Sequence, residues 1–292
     1  MGRTKVNKPV DAIICGDLHI REDQPICRTD DYWAAQWKKM DFIAELQYKY
    51  NCKVLCSGDM FEYWKPSPFL LSHTIAHLPD QFYTVYGNHD LPQHNLELAE
   101  KSGVYTLAQA GKLTILPQCH WGKFPDDSLN NREKILVWHV STYQSGHSPY
   151  PGCTWDDSMR LLRKYSQYDL IITGHNHMTF TAERNGKLLI NPGSMTRHKA
   201  DQMNHTPCVF LYHAEDNTCT KIHLPFDTNV INREHIEKQE KRDNRIDAFI
   251  VSLTNDWKAA VSFEENLERF KEVNQVRQSV MDIIYESIEK TV

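Results

Sequence analysis

Side chains that can hold metal ions recur in this sequence directly after short apolar runs. Residues 11–15 lead into Gly16-Asp17-Leu18-His19, and residues 53–57 lead into Gly58-Asp59. Apolar runs of this length, ended by turn residues, predict buried strands. A carboxylate and an imidazole on the loop after a strand can reach the same ion. Taken alone, Gly-Asp-x-His is as often an ordinary polar turn.

A third run, residues 82–86, leads into Gly87-Asn88-His89-Asp90, which places an amide oxygen, an imidazole and a carboxylate on one turn. A fourth, residues 135–140, carries His139 near its end, and residues 168–173 lead into Gly174-His175-Asn176-His177. An isolated histidine such as His139 is usually a core residue, but the neighbouring strand ends favour a ligand. The paired histidines can bind one ion or be divided between two.

Composition limits the remaining possibilities. The chain has 292 residues, 40% of them hydrophobic, and a net charge of -5. This length allows one large α/β domain with an appendage, and the acidic balance lacks the global basic footprint of a nucleic-acid-binding domain. The 8 cysteines have no Cys-x-x-Cys spacing, which argues against a zinc ribbon. Cys15, Cys56 and Cys208 lie in apolar runs, and the chain is far larger than a disulfide-stapled scaffold, so we expect reduced thiols and a cytoplasmic protein. We expect no signal peptide and no membrane span.

Helices and strands between these motifs supply the scaffold. Helical periodicity predicts helices over residues 32–50, 69–77 and 95–101, the first capped by Asp30 or Asp31. Residues 207–213 and 220–224 predict a hairpin that completes a second sheet.

The composition changes to charged helix near residue 232, which divides the chain into 1–231 and 232–292. A capping box at Ser262-Phe263-Glu264-Glu265 predicts a helix that carries apolar residues through Ile288. Such helices either pack on their own chain or bind a partner, and the sequence favours the two alternatives equally.

In this order, the motifs resemble the calcineurin-like metallophosphoesterase superfamily, from residue 11 to about residue 224. The resemblance implies an α/β fold of four layers, in which two β-sheets pack as a sandwich flanked by helices, here with a C-terminal helical extension. Every signature position is filled: Asp17, His19, Asp59, Asn88, His89, His139, His175 and His177.

The resemblance also implies roles. Asp59 would bridge two divalent ions, with Asp17, His19 and His177 on the first and Asn88, His139 and His175 on the second. A hydroxide bridging the ions would attack phosphorus in line, His89 would protonate the leaving oxygen, and Asp90 would orient His89. Mixed nitrogen and oxygen ligands favour manganese, with iron, zinc and magnesium as alternatives.

Two local segments narrow the resemblance to DNA repair nucleases of the SbcD type, in a compact form similar to phage members. They are Gly58-Asp59-Met60-Phe61 with Pro66-Ser67, and Asn191-Pro192-Gly193-Ser194 with Arg197. DNA is then the expected substrate, and a coiled-coil ATPase of the SbcC type the expected partner of residues 232–292; a homodimer is left open. The alternatives are a phosphoesterase for a small nucleotide or phosphoprotein, and a binding subunit with vestigial catalysis.

Overall fold

The computed structural model describes residues 8–117, 119–125, 134–150, 153–234, 242, 245–246 and 263–289. The chain divides into two compact units, Met1–Arg233 and Glu234–Val292. The first unit contains all of the predicted metal-ligand residues. The roles predicted for 1–231 and 232–292, catalysis and partner docking, stay predictions.

Six strands form the larger sheet: β1 (Ala12–Cys15), β2 (Lys53–Cys56), β3 (Phe82–Thr84), β4 (Thr114–Ile115), β11 (Cys208–His213) and β12 (Thr218–His223). Their order is β12-β11-β1-β2-β3-β4. Strands β1 to β4 run parallel, whereas β11 is antiparallel to β1. The predicted strands over 11–15, 53–57 and 82–86 are confirmed to within two residues at each end.

Four strands form the smaller sheet: β5 (Ile135–Trp138), β8 (Leu170–Thr173), β9 (Phe180–Arg184) and β10 (Lys187–Asn191). Their order is β5-β8-β10-β9, with β5, β8 and β10 parallel. Two further strands, β6 (Thr142–Tyr143) and β7 (Asp156–Asp157), form a separate two-stranded sheet.

Four helices lie between the strands: α1 (Tyr32–Tyr50), α2 (Pro68–His77), α3 (Gly103–Gln109) and α4 (Ser158–Lys164). Each begins at a side chain that accepts a backbone amide of the first turn, which satisfies a donor that the helix itself leaves free. Asp31, Ser67, Ser102 and Asp157 are these N-caps. The predicted cap at Asp31 is therefore confirmed.

Three apolar clusters define four layers. Ile14 and Leu55 of the larger sheet share one cluster with Leu170 and Ile190 of the smaller sheet. A second cluster joins the outer face of the larger sheet to α1, α2 and α3, and a third joins the smaller sheet to α4. Because the central strands of each sheet are buried on both faces, they are nearly continuous apolar runs, as in β1, β8 and β11. The predicted fold, two sheets packed as a sandwich and flanked by helices, is confirmed.

One local prediction is wrong. The C-terminal hairpin, β11 and β12, extends the larger sheet instead of completing the second, because β11 pairs with β1. The helix predicted over residues 95–101 is present over Leu96–Lys101 as a 3₁₀-helix, between caps at Asn95 and Ser102.

Over residues 263–289, the second unit has two helices, Phe263–Asn274 and Gln278–Glu289, where the sequence predicts one. Gln275 has a φ of 50°, and a residue in this left-handed conformation ends a helix. The amide of Val276 donates to the carbonyl of Lys271 at 3.0 Å, which closes the end. Most of the charged helix expected from about residue 232 lies outside the described residues. Within the described part of the chain, no helix is long and apolar enough to cross a membrane.

Candidate metal centre

The strand ends that carry the predicted ligands meet at one edge of the sandwich. Parallel strands present their carboxyl ends on the same edge of a sheet, and both sheets contribute such ends here. Groups of potential ligand atoms lie within 4.8 Å of one another in Asp17–His19–Asp59 and in Asp59–His139–His175. We call Asp17, His19 and His177 the first-ion group and Asn88, His139 and His175 the second-ion group.

Asp59 lies between the two groups. Its Oδ1 accepts the amide of His89 at 2.8 Å. Its Oδ2 is buried without a hydrogen-bond partner among the described residues, and lies 3.7 Å from His19 Nε2 and 3.4 Å from His139 Nε2. A carboxylate held by one oxygen, with the other directed between two imidazoles, is suited to bridge two cations.

Asp17 repeats this arrangement in the first-ion group. Its Oδ1 accepts the amide of His175 at 2.9 Å, while Oδ2 is buried and unpaired within the described structure. Nearby, His19 Nε2 and His177 Nε2 are 3.0 Å apart. An unsatisfied buried carboxylate oxygen costs free energy, and two imidazole nitrogens in contact need a proton or a cation between them.

The second-ion group converges on the amide oxygen of Asn88, which lies 3.1 Å from His139 Nε2 and 2.9 Å from His175 Nδ1. His139 Nδ1 donates to the carbonyl of Ser57 at 2.7 Å. In a neutral ring the Nε2 lone pair would then face the Asn88 oxygen, which is also an acceptor. This contact requires a proton or a metal ion at Nε2.

Four of the candidate ligands have a strained backbone conformation. Asp17, His19, Asp59 and His175 have φ of 46°, 46°, 50° and 73°, a left-handed region that non-glycine residues occupy rarely. Strain of this kind persists at functional sites, where the surrounding structure fixes it. Gly87 packs so closely against Asp59 that a side chain cannot be accommodated, because a Cβ there would lie 2.1 Å from Asp59 Oδ1.

The electrostatics show a site that attracts positive charge. Burial raises the pKa of Asp17 to about 6. Burial also acts to raise the pKa of Asp59, but His139 and His19 outweigh it and hold that pKa well below its usual range. Burial acts to lower the pKa of His139, yet the Asp59 carboxylate raises it to about 9. In the absence of metal, a proton on His139 therefore neutralises Asp59.

His175 and His177 differ from His139 in charge state. Burial lowers the pKa of His175 to about 4 and that of His177 to about 2. Both rings are therefore neutral near pH 7, the form in which imidazole binds a metal.

His89 and Asp90 do not form the predicted pair. His89 is half-buried, and its Nδ1 donates to the carbonyl of Glu62 at 2.8 Å. Asp90 accepts the amides of Met60, Phe61 and Gly87 at 2.9, 3.2 and 2.9 Å. The prediction that Asp90 orients the His89 ring is wrong, because both of its oxygens are used to hold the loops that carry Asp59 and Asn88.

Two residues of the site were missed by sequence reasoning. Glu62 Oε2 lies 2.9 Å from His19 Nδ1, and His198 lies with His19 and His177 in a group whose ligand atoms are within 4.8 Å of one another. Glu62 follows Asp59 on the same loop, which is a weak local signal. His198 follows the Asn-Pro-Gly-Ser segment, and nothing in the sequence indicates that its ring faces His19.

Aromatic rings border the second-ion group. Trp121 stacks on His175 with ring centroids 4.7 Å apart, and Trp155 meets the same ring edge-on at 5.8 Å. Both tryptophans are half-buried. They shield His175 on two sides.

Unpaired buried carboxylate oxygens and converging neutral imidazoles fit two divalent cations. A family model described as the calcineurin-like phosphoesterase superfamily domain matches residues 10–217. The chain belongs to this superfamily. Calcineurin-like phosphoesterases hydrolyse phosphoesters with divalent metal ions, and the ligand clusters of this member agree with that chemistry. The matched residues include the whole candidate centre.

Several solved structures are similar to this calcineurin-like phosphoesterase. An archaeal phosphodiesterase is 17% identical, with 73% of this chain and 99% of that chain covered, at a TM-score of 0.40. Vps29 from Entamoeba histolytica, complexed with zinc, is 16% identical, with 73% of this chain and 98% of that chain covered, at a TM-score of 0.35. A putative 5'-nucleotidase from Staphylococcus aureus is 15% identical, with 79% and 58% covered, at 0.44. Similarity at this level carries no argument about substrate.

Proposed function

We propose that this chain is a two-metal phosphodiesterase that cleaves DNA, a nuclease of the SbcD type. The observation that carries the two-metal proposal is Asp59 Oδ2, buried and unpaired in the described structure between His19 and His139. The first-ion group and the second-ion group would each hold one ion, with Asp59 shared. Manganese is the ion we propose for both, with iron, zinc and magnesium as the alternatives to test.

The protein's own residues divide the remaining work. Bound ions would supply Lewis-acid stabilisation of phosphate charge and activation of water. His89 donates through Nδ1 to the Glu62 carbonyl, so its Nε2 is the atom left to carry a proton to the leaving oxygen. Its ring lies 4.7 Å from that of His19, beside the first-ion group, and we assign it to proton transfer and not to an ion.

The surroundings of the loop after β2 support a nucleic-acid substrate. Tyr63 is 57% exposed and lies under Arg21, whose guanidinium carbon is 5.6 Å from the ring centroid. Arg21 Nη1 is 3.3 Å from Glu62, which in turn contacts His19. An exposed aromatic ring suits stacking on an unpaired base, while the Arg21 guanidinium is held by Asp23 and Glu62.

Other parts of the same segment serve the fold. Phe61 is fully buried, Ser67 caps α2, and Gly103 packs closely on Pro66, which a Cβ would approach to 2.3 Å. The resemblance of this segment to SbcD-type nucleases therefore rests on residues that shape the loop. Tyr63 and Lys65 are the exposed side chains of this segment, and Tyr63 is the one that offers an aromatic ring to a substrate.

A small nucleotide or phosphoprotein is the second candidate substrate. The net charge of -5 favours it, because long-range repulsion slows the approach of a polyanion. The two candidates differ in what Tyr63 contributes: a stacked base on a DNA strand depends on it, whereas hydrolysis of a small diester at the ions does not.

Purified protein with manganese, offered end-labelled DNA and bis-p-nitrophenyl phosphate in parallel, tests the proposal. We expect both to be cleaved. Tyr63→Ala is expected to weaken DNA cleavage by about 5- to 150-fold, the loss of about 1–3 kcal/mol of stacking, while hydrolysis of the small diester is unchanged. Tyr48→Ala, at an exposed tyrosine on α1, is the matched control and changes neither.

The outcomes separate the candidates. Cleavage of the small diester with no cleavage of DNA, at any salt or metal concentration, contradicts the nuclease proposal and leaves the small-nucleotide reading. A preference for a phosphomonoester contradicts the assignment to phosphodiesters. Equal effects of Tyr63→Ala on both substrates contradict a stacking role.

Docking of an SbcC-type ATPase by residues 232–292 stays a prediction. The helix pair exposes Val273, Val280 and Ile283, apolar side chains that a partner would bury. Val280→Asp with Ile283→Asp, in the full chain, is expected to abolish co-purification with a co-expressed coiled-coil ATPase and to leave hydrolysis of the small diester intact. Unchanged co-purification contradicts this role for the helices.

A further inference from the structure

His198 is a buried histidine with no described partner. It is 6% exposed, and neither ring nitrogen has a hydrogen-bond partner in the described part of the chain. Most buried polar side-chain atoms are hydrogen-bonded, and a ring with both nitrogens unpaired needs a specific explanation. His205, on the same segment, shows the ordinary case, because its Nε2 donates to the carbonyl of Ser194 at 2.7 Å.

The neighbours of His198 are the two histidines of the first-ion group. Its ring centroid is 4.6 Å from that of His19 and 5.0 Å from that of His177, and the ligand atoms of all three lie within 4.8 Å of one another. This group of three imidazoles contains no carboxylate among the described residues. A cation bound by the ring nitrogens would explain why the three rings lie so close together.

The backbone around His198 is fixed before any ligand binds. The amide of His198 donates to Gln202 Oε1 at 2.8 Å, and Gln202 Nε2 donates to Ser194 Oγ at 2.6 Å. The carbonyl of His198 accepts from Cys27 Sγ at 3.3 Å. A metal-binding side chain that the surrounding contacts already hold in position loses little conformational entropy when the ion binds.

Arg197 explains how the segment is anchored beside the site. Its guanidinium donates to the carbonyls of Met203, Asp227 and Thr228, and its own carbonyl accepts from Arg28 at 2.8 Å. The arginine is 3% exposed, so it serves the fold and not a phosphate. Its neighbour His198 is the side chain that the segment contributes to the centre.

We propose that His198 is a further ligand of the first ion, so that this position has three imidazole ligands. The proposal rests on the proposed two-metal site and adds to it a prediction of ion selectivity. Imidazole suits iron, cobalt, nickel and zinc, whereas oxygen ligands suit magnesium and manganese. The first-ion position therefore prefers the former ions more strongly than the second-ion position does.

Metal titration of the full-length apoprotein tests this without using activity. Calorimetry with cobalt, zinc, manganese and magnesium, together with the visible spectrum of bound cobalt, is compared for wild type, His198→Ala and His205→Ala. In His198→Ala we expect cobalt and zinc affinity at one position to fall by more than about 10-fold. The cobalt spectrum changes, and magnesium affinity changes little. His205→Ala is expected to lower thermal stability and to leave metal affinity unchanged.

Other results overturn the proposal. Wild-type affinity and an unaltered cobalt spectrum in folded His198→Ala, or a raised KM for the diester with metal binding intact, assigns His198 another role. Equal loss of metal in the His198 and His205 variants makes the effect one of folding. If His198→Ala does not fold, His198→Gln is measured, and retention of wild-type affinity by this flexible amide contradicts a need for imidazole.

The same data separate this proposal from the proposed function. If metal binding depends on His198 but the protein cleaves no diester, the proposed phosphodiesterase activity is contradicted and the role of His198 as a metal ligand is supported. If the protein cleaves the diester but binds metal independently of His198, the activity is supported and the role of His198 is contradicted.

Discussion

The first-ion group and the second-ion group are built from similar residues but supported differently. In the first-ion group, His19 Nδ1 faces the Glu62 carboxylate at 2.9 Å. In the second-ion group, His139 Nδ1 donates to the Ser57 carbonyl at 2.7 Å. Both partners fix the ring, but a carboxylate also raises the basicity of the metal-binding nitrogen. The two ion positions are therefore unequal.

The surroundings increase this difference. His198 adds an unpaired imidazole on the side of the first-ion group, whereas Trp121 and Trp155 flank His175 of the second-ion group. The first-ion position is thus the richer in donors. The second depends on an amide oxygen, a weaker ligand than a carboxylate, and is expected to release its ion first.

Asp59→Asn should have the largest effect because it removes the carboxylate that both groups share. Loss of several kcal/mol of charge stabilisation predicts a fall in activity of about 10³-fold or more, and metal analysis should find fewer than two ions bound. Asp80→Asn, at an exposed aspartate, is the control. Retention of both ions in Asp59→Asn would show that Asp59 is not the bridge.

His89→Asn and Asn88→Ala separate proton transfer from metal binding on one turn. His89→Asn is expected to keep both ions and lose about 10²–10⁴-fold in kcat, the usual contribution of a general acid. Asn88→Ala is expected to lose the second ion and little affinity for the first. Both are measured by metal analysis and diester hydrolysis. Loss of metal in His89→Asn would place that ring among the ligands.

Glu62→Gln sharpens the comparison between the groups. It replaces the carboxylate beside His19 and leaves the carbonyl beside His139 untouched. Affinity for the first ion should fall by about 10–100-fold, while affinity for the second stays the same, as calorimetry can resolve. Equal weakening at both positions would mean that Glu62 acts through the fold of the loop.

Asp90→Asn should have the smallest effect on chemistry. An asparagine can accept with one oxygen only, so a buried amide loses its partner and stability to urea falls by about 1–3 kcal/mol. The kcat of the folded variant should be retained, because Asp90 holds backbone amides and not His89. A large loss of kcat at unchanged stability would restore the orienting role.

The ligand positions were predictable because they follow from local pattern and one topological rule. Asp17, Asp59 and Asn88 each follow an apolar run, and the carboxyl ends of parallel strands meet. His139 could be predicted as a ligand only from the other strand-end motifs, since a lone histidine at the end of an apolar run does not by itself indicate a ligand. The structure places all of them together, as that rule requires.

The errors arise where a side chain or strand is committed to a distant part of the chain. Asp90 accepts the amides of residues 60 and 61. Strand β11 pairs with β1, about two hundred residues earlier in the chain. His198 lies beside His19 on a loop that Arg197 and Gln202 hold in place. No periodicity or residue spacing in the sequence signals these contacts. They depend on the assembled fold.

The central claim is that two unequal ions act together. Apoprotein prepared with a chelator is titrated with manganese while bound metal per chain and bis-p-nitrophenyl phosphate hydrolysis are followed in the same samples. The account predicts two binding steps of different affinity, with activity appearing only during the second. Full activity at one ion per chain, or undiminished activity in the chelated protein, would contradict it.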